Sequence, residues 1–273
     1  MIMQAPALAG VVLGARDRSG VSLTAFLLFA AANFLFAAHS FCFNDWSGAL
    51  LDERDPHKAS YALLRRGVER SRILMVACML GLFSAGLFAC LGVHHLFIVL
   101  VMLLLSTLYS FPHHRYEGKR RVGWSSVLHL AGGLLYVLNG YILFHAPDVL
   151  GVQLGLFFGL AITAGHLAQE VQDHAGDRGN GIPTAAVRLG PRTVFLISLM
   201  LFSLAHLQLA WLACAGWLAA PAQVLILLWP VQLVLAWHTL RQGLAFDTVQ
   251  RYRRGYQIIF GLMAGALCLS ALG

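Results

Sequence analysis

The sequence predicts an all-α polytopic membrane protein, with about nine transmembrane helices in a single bundle around a central cavity. Composition is the first observation behind this: 59% of the residues are hydrophobic, only 11% are charged, and mean hydropathy is +0.72. Soluble domains carry about a quarter charged residues. The second observation is a series of apolar runs long enough to cross about 30 Å of hydrocarbon at a rise of about 1.5 Å per residue. Lipid-exposed backbone must satisfy its own hydrogen bonds, and these runs are too long and too evenly apolar for barrel strands. They are therefore read as helices.

In chain order the runs fall at residues 2–14, 21–43, 71–92, 94–112, 123–144, 149–168, 193–214, 216–240 and 256–272. The first is too short to span unaided, and no positively charged segment precedes a cleavage site, so it reads as a truncated first helix rather than a signal peptide. Pro221 and Pro230 predict a kink in the eighth run. No low-complexity linker or soluble domain interrupts the series, so residues 1–273 are read as one domain.

Charge sets the orientation. Of 19 Lys and Arg residues, all but Arg16 and Arg18 lie in the loops after the second, fourth, sixth and eighth runs. The positive-inside rule places these loops in the cytoplasm of an inner membrane, with the amino terminus inside and the carboxyl terminus outside. This topology accounts for a net charge of +7 without nucleic-acid binding. The basic run Arg251-Tyr252-Arg253-Arg254 suits anionic lipid headgroups. Five scattered cysteines, odd in number and without close pairs, indicate neither a disulfide framework nor a zinc site.

Two acid-rich segments stand out at the predicted cytoplasmic ends of helices, where carboxylates next to hydrocarbon are expensive and mark function. The first is Asn44-Asp45-Trp46-Ser47-Gly48-Ala49-Leu50-Leu51-Asp52-Glu53-Arg54-Asp55, and the second runs from Glu170 to Asp177. On a helix, Asn44, Gly48, Asp52 and Asp55 form one stripe, and His166, Glu170, Asp173 and Asp177 form another. Oxygen donors of this kind suit Mg2+, which commonly takes one or two carboxylates, water and the phosphate oxygens of a substrate.

These segments, together with Tyr109-Ser110-Phe111-Pro112-His113-His114-Arg115 between them, resemble the UbiA superfamily of intramembrane prenyltransferases. That family carries an Asn-x-x-x-Asp-x-x-x-Asp motif after helix two and an Asp-x-x-Asp-x-x-x-Asp motif after helix six. The stretch from Asp173 to Thr184, continuing to Val187-Arg188-Leu189-Gly190, is similar to the second motif and its tail. Three departures accompany the likeness. Gly48 stands at the middle acid of the first motif and removes a ligand. Glu170 replaces the first acid of the second motif and lengthens one. The truncated first helix is where the family usually has a diphosphate-binding Arg.

The resemblance implies that Asn44, Asp52, Glu170, Asp173 and Asp177 hold Mg2+, with Asp45 and Asp55 available in place of the missing acid. Arg115 and Lys119 would contact the diphosphate, with Lys58, Arg65 and Arg178 as further candidates. The implied activity is transfer of a prenyl group from an isoprenoid diphosphate to an acceptor, expected to be aromatic. Metal and cationic side chains would stabilise the departing diphosphate.

Phe41, Tyr136, Asn139 and His166 are candidates for the prenyl or acceptor pocket, because polar groups within apolar helices should face the bundle interior. Helix packing is the competing explanation for each aromatic ring, and interhelical hydrogen bonding for each polar group. Three alternatives stand beside the transferase: a terpene cyclase of the same superfamily, a membrane transporter, and a non-catalytic relative, which Gly48 leaves open. Acids at the helix mouths rather than at the midplane favour an enzyme over a transporter.

Overall fold

A computed structural model describes residues 5–16, 20–53, 59, 62–111, 118–218 and 224–272. Among these residues there are ten α-helices and no strand: α1 (Ala5–Gly14), α2 (Leu23–Asp52), α3 (Arg70–Leu91), α4 (Val93–Ser110), α5 (Trp124–Tyr141), α6 (Val149–Gly179), α7 (Ala185–Leu189), α8 (Pro191–Cys214), α9 (Leu228–Gln242) and α10 (Phe246–Leu272). Each apolar run of the sequence corresponds to a helix. Five of them, α2, α3, α4, α6 and α8, are long and apolar enough to cross a membrane; α1, α5, α9 and α10 are helical without meeting that requirement. Pro221, in the eighth run, lies outside the described residues. A short 3-10 turn, Val224–Leu227, leads into α9, whose first turn contains Pro230. Proline is tolerated there because the first-turn amides have no intrahelical acceptor to lose.

The chain divides into two compact units, the first comprising residues 1–21, 129–174 and 185–273 and the second residues 22–128 and 175–184. In the first unit, close packing rests on small residues. A Cβ added at Gly10 would lie 2.2 Å from the Val137 carbonyl oxygen, and one at Gly140 2.1 Å from that of Ala7, so α1 and α5 touch backbone to backbone. Between α5 and α6 the same occurs at Gly159, where a Cβ would stand 2.7 Å from the Leu130 carbonyl oxygen. Helices in lipid gain little from hydrophobicity, so close van der Waals approach and interhelical hydrogen bonds hold them together. The Ser198 hydroxyl donates to the Ala164 carbonyl at 2.7 Å, joining α8 to α6, and the Trp229 indole donates to the Ser203 hydroxyl at 3.0 Å, joining α9 to α8. Phe157, Phe158, Leu209, Leu212, Met263 and Leu267 form the core between these elements.

One end of this unit is fastened by Asp148. Its Oδ1 accepts from the Gly151 amide at 2.7 Å and caps α6, while Oδ2 accepts from the Tyr141 hydroxyl at 3.1 Å and pairs with Arg16 at 3.3 Å. The loops after α1 and α5 thus meet at one end, as alternating helix directions require.

The second unit is built on α2. Ser22 caps its start by accepting from the Ala25 amide at 3.2 Å. Further along, His39 Nδ1–H donates to the Ala77 carbonyl of α3 at 2.8 Å, and the Ser84 hydroxyl donates back to Ala32 of α2 at 2.8 Å. Gly81 admits the His39 ring: a Cβ there would lie 2.9 Å from Nδ1. Phe29, Phe88 and His95 carry the packing on to α4, with Phe29 and Phe88 edge to face at 5.6 Å. His39 Nδ1 and the Ser84 hydroxyl thereby each gain a partner on the facing helix.

The backbone contact of α1 with α5 makes a sharp prediction. Gly140→Ala should lower unfolding stability in detergent by about 1–3 kcal/mol, the usual cost of overpacking, whereas Gly86→Ala, inside α3 where an added methyl meets nothing within 4 Å, should leave the melting temperature unchanged or raise it slightly, since alanine favours a helix interior over glycine.

Candidate functional site

Helix α2 continues past its apolar body and carries the first acidic segment on its last turns. Phe43, Ser47, Gly48 and Ala49 are buried, which leaves Asn44 and Asp45 exposed and Asp52 half-buried. The buried side is fixed from α3: Arg70 Nε donates to the Trp46 carbonyl at 3.1 Å, and its guanidinium sits 5.1 Å from the centre of the Trp46 ring. Trp46 in turn packs on Phe43 at 5.2 Å. Phe41, one turn before Asn44 and Asp45, is 54% exposed, so an uncovered aromatic ring adjoins the polar stripe.

Gly48 does more than omit an acid. A Cβ at this position would stand 3.2 Å from Asp52 Oδ2 and 3.8 Å from Oδ1. The Asp52 carboxylate leans back along the helix into the space that the glycine leaves, the direction helical side chains take. Just beyond, Glu53 ends the helix, and Arg65 donates to the Glu53 carbonyl at 3.1 Å. Arg65 therefore stands beside the first acidic segment. Asp55, Lys58 and Arg115 lie outside the described residues, as does the side chain of Lys119, whose backbone belongs to the 3-10 turn Gly118–Arg120.

The second stripe lies on α6, which runs well past the apolar stretch ending at 168 and stays helical to Gly179. Along it the environment changes. His166 and Glu170 are 9% and 5% exposed, whereas Asp173 and Asp177 are half-buried and Arg178 is exposed. His166 Nε2 lies 3.0 Å from Glu170 Oε1, one turn away. The other carboxylate oxygen, Oε2, accepts from the backbone amides of Ala185 at 2.8 Å and Ala186 at 3.4 Å, at the start of α7. On its far side, the His166 imidazole is stacked on His129 of α5, with ring centres 3.7 Å apart and planes within 7°. From α10, Arg253 donates to Gln172 Oε1 at 2.6 Å and to Gln169 Oε1 at 3.1 Å, holding the turn that contains Glu170.

The end of α6 is closed by a Schellman turn. The Ile182 amide donates to the Asp177 carbonyl at 2.8 Å and the Gly181 amide to the Arg178 carbonyl at 3.2 Å, with Gly181 at φ 66°. A residue with a side chain adopts that backbone conformation only at a cost. Asp177 is thus placed in the last turn of a terminated helix, its carbonyl taking part in the closing bonds.

Tyr136 and Asn139 are both buried, one turn apart on α5. Among the described residues no group of three or more His, Cys, Asp or Glu side chains is placed to hold a metal ion. The side chains of Asn44, Asp45, Asp52, Asp173 and Asp177, exposed at 44 and 45 and half-buried at the other three, carry oxygen donors, the chemistry a hard cation with water and phosphate ligands needs. The His129–His166 stack and the Arg253 clamp were not apparent from spacing, since each depends on which helices adjoin.

The sequence matches the model of the UbiA prenyltransferase family over residues 4–268. Among solved structures, a UbiA homologue from Aeropyrum pernix K1 is similar with a TM-score of 0.75 at 18% identity, covering 97% of this chain and 96% of that one. A UbiA homologue from Archaeoglobus fulgidus bound to DMAPP and Mg2+ gives 0.74 at 12% identity, with 98% and 96% covered. A structure described as digeranylgeranylglyceryl phosphate synthase gives 0.71 at 16% identity, with 99% and 94% covered. No curated protein matches the sequence. A family match over nearly the whole chain, on a helical fold that these structures share, makes this protein a member of the UbiA prenyltransferase family.

Proposed function

We propose that this protein is a magnesium-dependent prenyltransferase of a cell inner membrane, moving a prenyl group from an isoprenoid diphosphate to an aromatic acceptor at its cytoplasmic face. The observation that carries this reading is the pair Asp173 and Asp177: accessible carboxylates one turn apart, on a helix end fixed by the Schellman turn. Family membership and the DMAPP and Mg2+ bound by the Archaeoglobus fulgidus homologue support it.

In this reading Asn44 and Asp52 on α2, with Asp45 and Asp55 beside them, and Asp173 and Asp177 on α6 supply the oxygens that hold Mg2+. Bound magnesium supplies positive charge against the diphosphate. Arg65 and Arg178, together with Arg115, Lys119 and Lys58, neutralise phosphate oxygens. As the allylic carbon–oxygen bond breaks, its electron pair leaves with the diphosphate, and the acceptor then bonds to that carbon and gives up a proton. Phe41, Tyr136, Asn139 and His166 are assigned to the prenyl and acceptor pocket, where an aromatic face stabilises positive charge. The alternation of basic loops orients the amino terminus to the cytoplasm.

The test is diphosphate release by purified protein from dimethylallyl, geranyl, farnesyl and geranylgeranyl diphosphates, with and without aromatic acceptors. Release that needs both Mg2+ and an acceptor is expected; EDTA should abolish it and added Mg2+ restore it. Release without any acceptor would assign the chain to cyclisation instead, and none under any condition would overturn the enzyme reading. Asp173→Asn and Asp177→Asn should each lower kcat/KM by about 100-fold or more, the scale of losing a charge-stabilising group; full activity in both would remove these acids from the site. Gly48→Ala puts a methyl into the space beside Asp52 Oδ2 and should raise the Mg2+ concentration for half-maximal rate, measured by titration.

A further inference from the structure

Glu170 stands in line with Asp173 and Asp177, yet its surroundings set it apart. Its carboxylate is 5% exposed, and both oxygens are engaged within the protein: Oε1 by His166 at 3.0 Å, Oε2 by the Ala185 and Ala186 amides at 2.8 and 3.4 Å. Oε2 accepts from the two backbone amides, and Oε1 faces the buried His166 ring rather than solvent. Turning this group toward a metal ion would strand two backbone amides in a buried place, which is costly. The two aspartates are more open than Glu170.

We infer that Glu170 is a positioning residue, a buried clasp that ties α6 to α7 and thereby places Asp173 and Asp177, rather than a ligand of the metal. The Glu170–Ala185 bond spans fifteen positions, and both aspartates lie within that span. They follow Glu170 by three and seven residues on one continuous helix, so whatever fixes residue 170 fixes them. The same turn is gripped from α10 by Arg253 through Gln169 and Gln172. His129 backs the His166 ring, whose Nε2 lies 3.0 Å from Oε1. Clasp, clamp and stack therefore converge on the residues just before the first accessible acid.

The activity readout rests on the prenyl-diphosphate reading; the hydrogen-exchange readout does not. Three variants separate clasp from ligand. Glu170→Gln keeps an acceptor oxygen of the same shape but loses the charge. Glu170→Ala removes the acceptor. Ala185→Pro leaves the carboxylate intact and removes the amide donor, at a first helical position where proline fits. If Glu170 is a clasp, Glu170→Ala and Ala185→Pro both lower kcat and raise the Mg2+ half-saturation, and Glu170→Gln restores most of the Mg2+ affinity. If Glu170→Gln raises the Mg2+ half-saturation as far as Glu170→Ala while Ala185→Pro matches wild type, Glu170 is a ligand and the inference is overturned. Hydrogen exchange decides the clasp without turnover: in Glu170→Ala the Ala186 amide should exchange about tenfold faster or more, as local opening predicts, and Glu170→Gln should keep it protected. Unchanged exchange in Glu170→Ala overturns the clasp. A wild-type protein that releases no diphosphate would defeat the proposed function, while the exchange experiment would still judge Glu170.

Discussion

Hydrocarbon offers no hydrogen-bond partners, so a polar group can stand near it only where a helix carries it outward or another protein group receives it. Helix α6 answers both demands. Its apolar length is locked by close approach: a Cβ at Gly159 would meet the Leu130 carbonyl at 2.7 Å, one at Gly165 would meet the Tyr256 hydroxyl at 2.7 Å, and Ser198 bonds to the Ala164 carbonyl. The backbone contact at Gly159 leaves no room for a larger side chain without movement of α5 or α6. The acids that follow on the same helix inherit that rigidity, and rigid placement is what electrostatic stabilisation of a leaving group requires.

Depth along α6 then decides what each polar residue can do. His166 and Glu170 are buried where an unmatched charge would be expensive, and each has protein partners. One turn further, Asp173 and Asp177 are less buried than either of them. Helix α2 repeats the pattern with different means, its buried Phe43, Ser47 and Ala49 opposed to exposed Asn44 and Asp45. Residues of similar chemistry on one stripe thus differ in surroundings, a difference that spacing alone does not reveal.

Much of this was legible beforehand. Apolar length and the absence of breakers located the helices, and spacings of three and four placed His166, Glu170, Asp173 and Asp177 on one face. Helix ends were less legible: the run ending at 168 marks where α6 stops being apolar, while the helix itself ends at Gly179, because helix propagation depends on backbone bonds and local turn chemistry rather than hydrophobicity. Contacts between helices were not legible at all. The His129–His166 stack depends on Gly133 and Gly159 letting α5 and α6 approach, and the link from Glu170 to Ala185 depends on where the chain returns after Pro183.

The two departures from the family motifs look alike in the sequence, each a replaced acid, but they differ physically. At position 48 the loss of a side chain opens space beside a neighbour, and Asp52 leans into it, so the local arrangement of donors is altered even though Asp52 is retained. At position 170 the acid is kept and made longer, and the extra methylene lets the carboxylate reach backbone amides fifteen residues away in sequence. Counting acids would make the first a deficit and the second a near-equivalence. The geometry argues otherwise: glycine at 48 bears on where a neighbouring oxygen lies, and glutamate at 170 is bonded to the backbone where the chain enters α7, so the two replacements act on different parts of the proposed site.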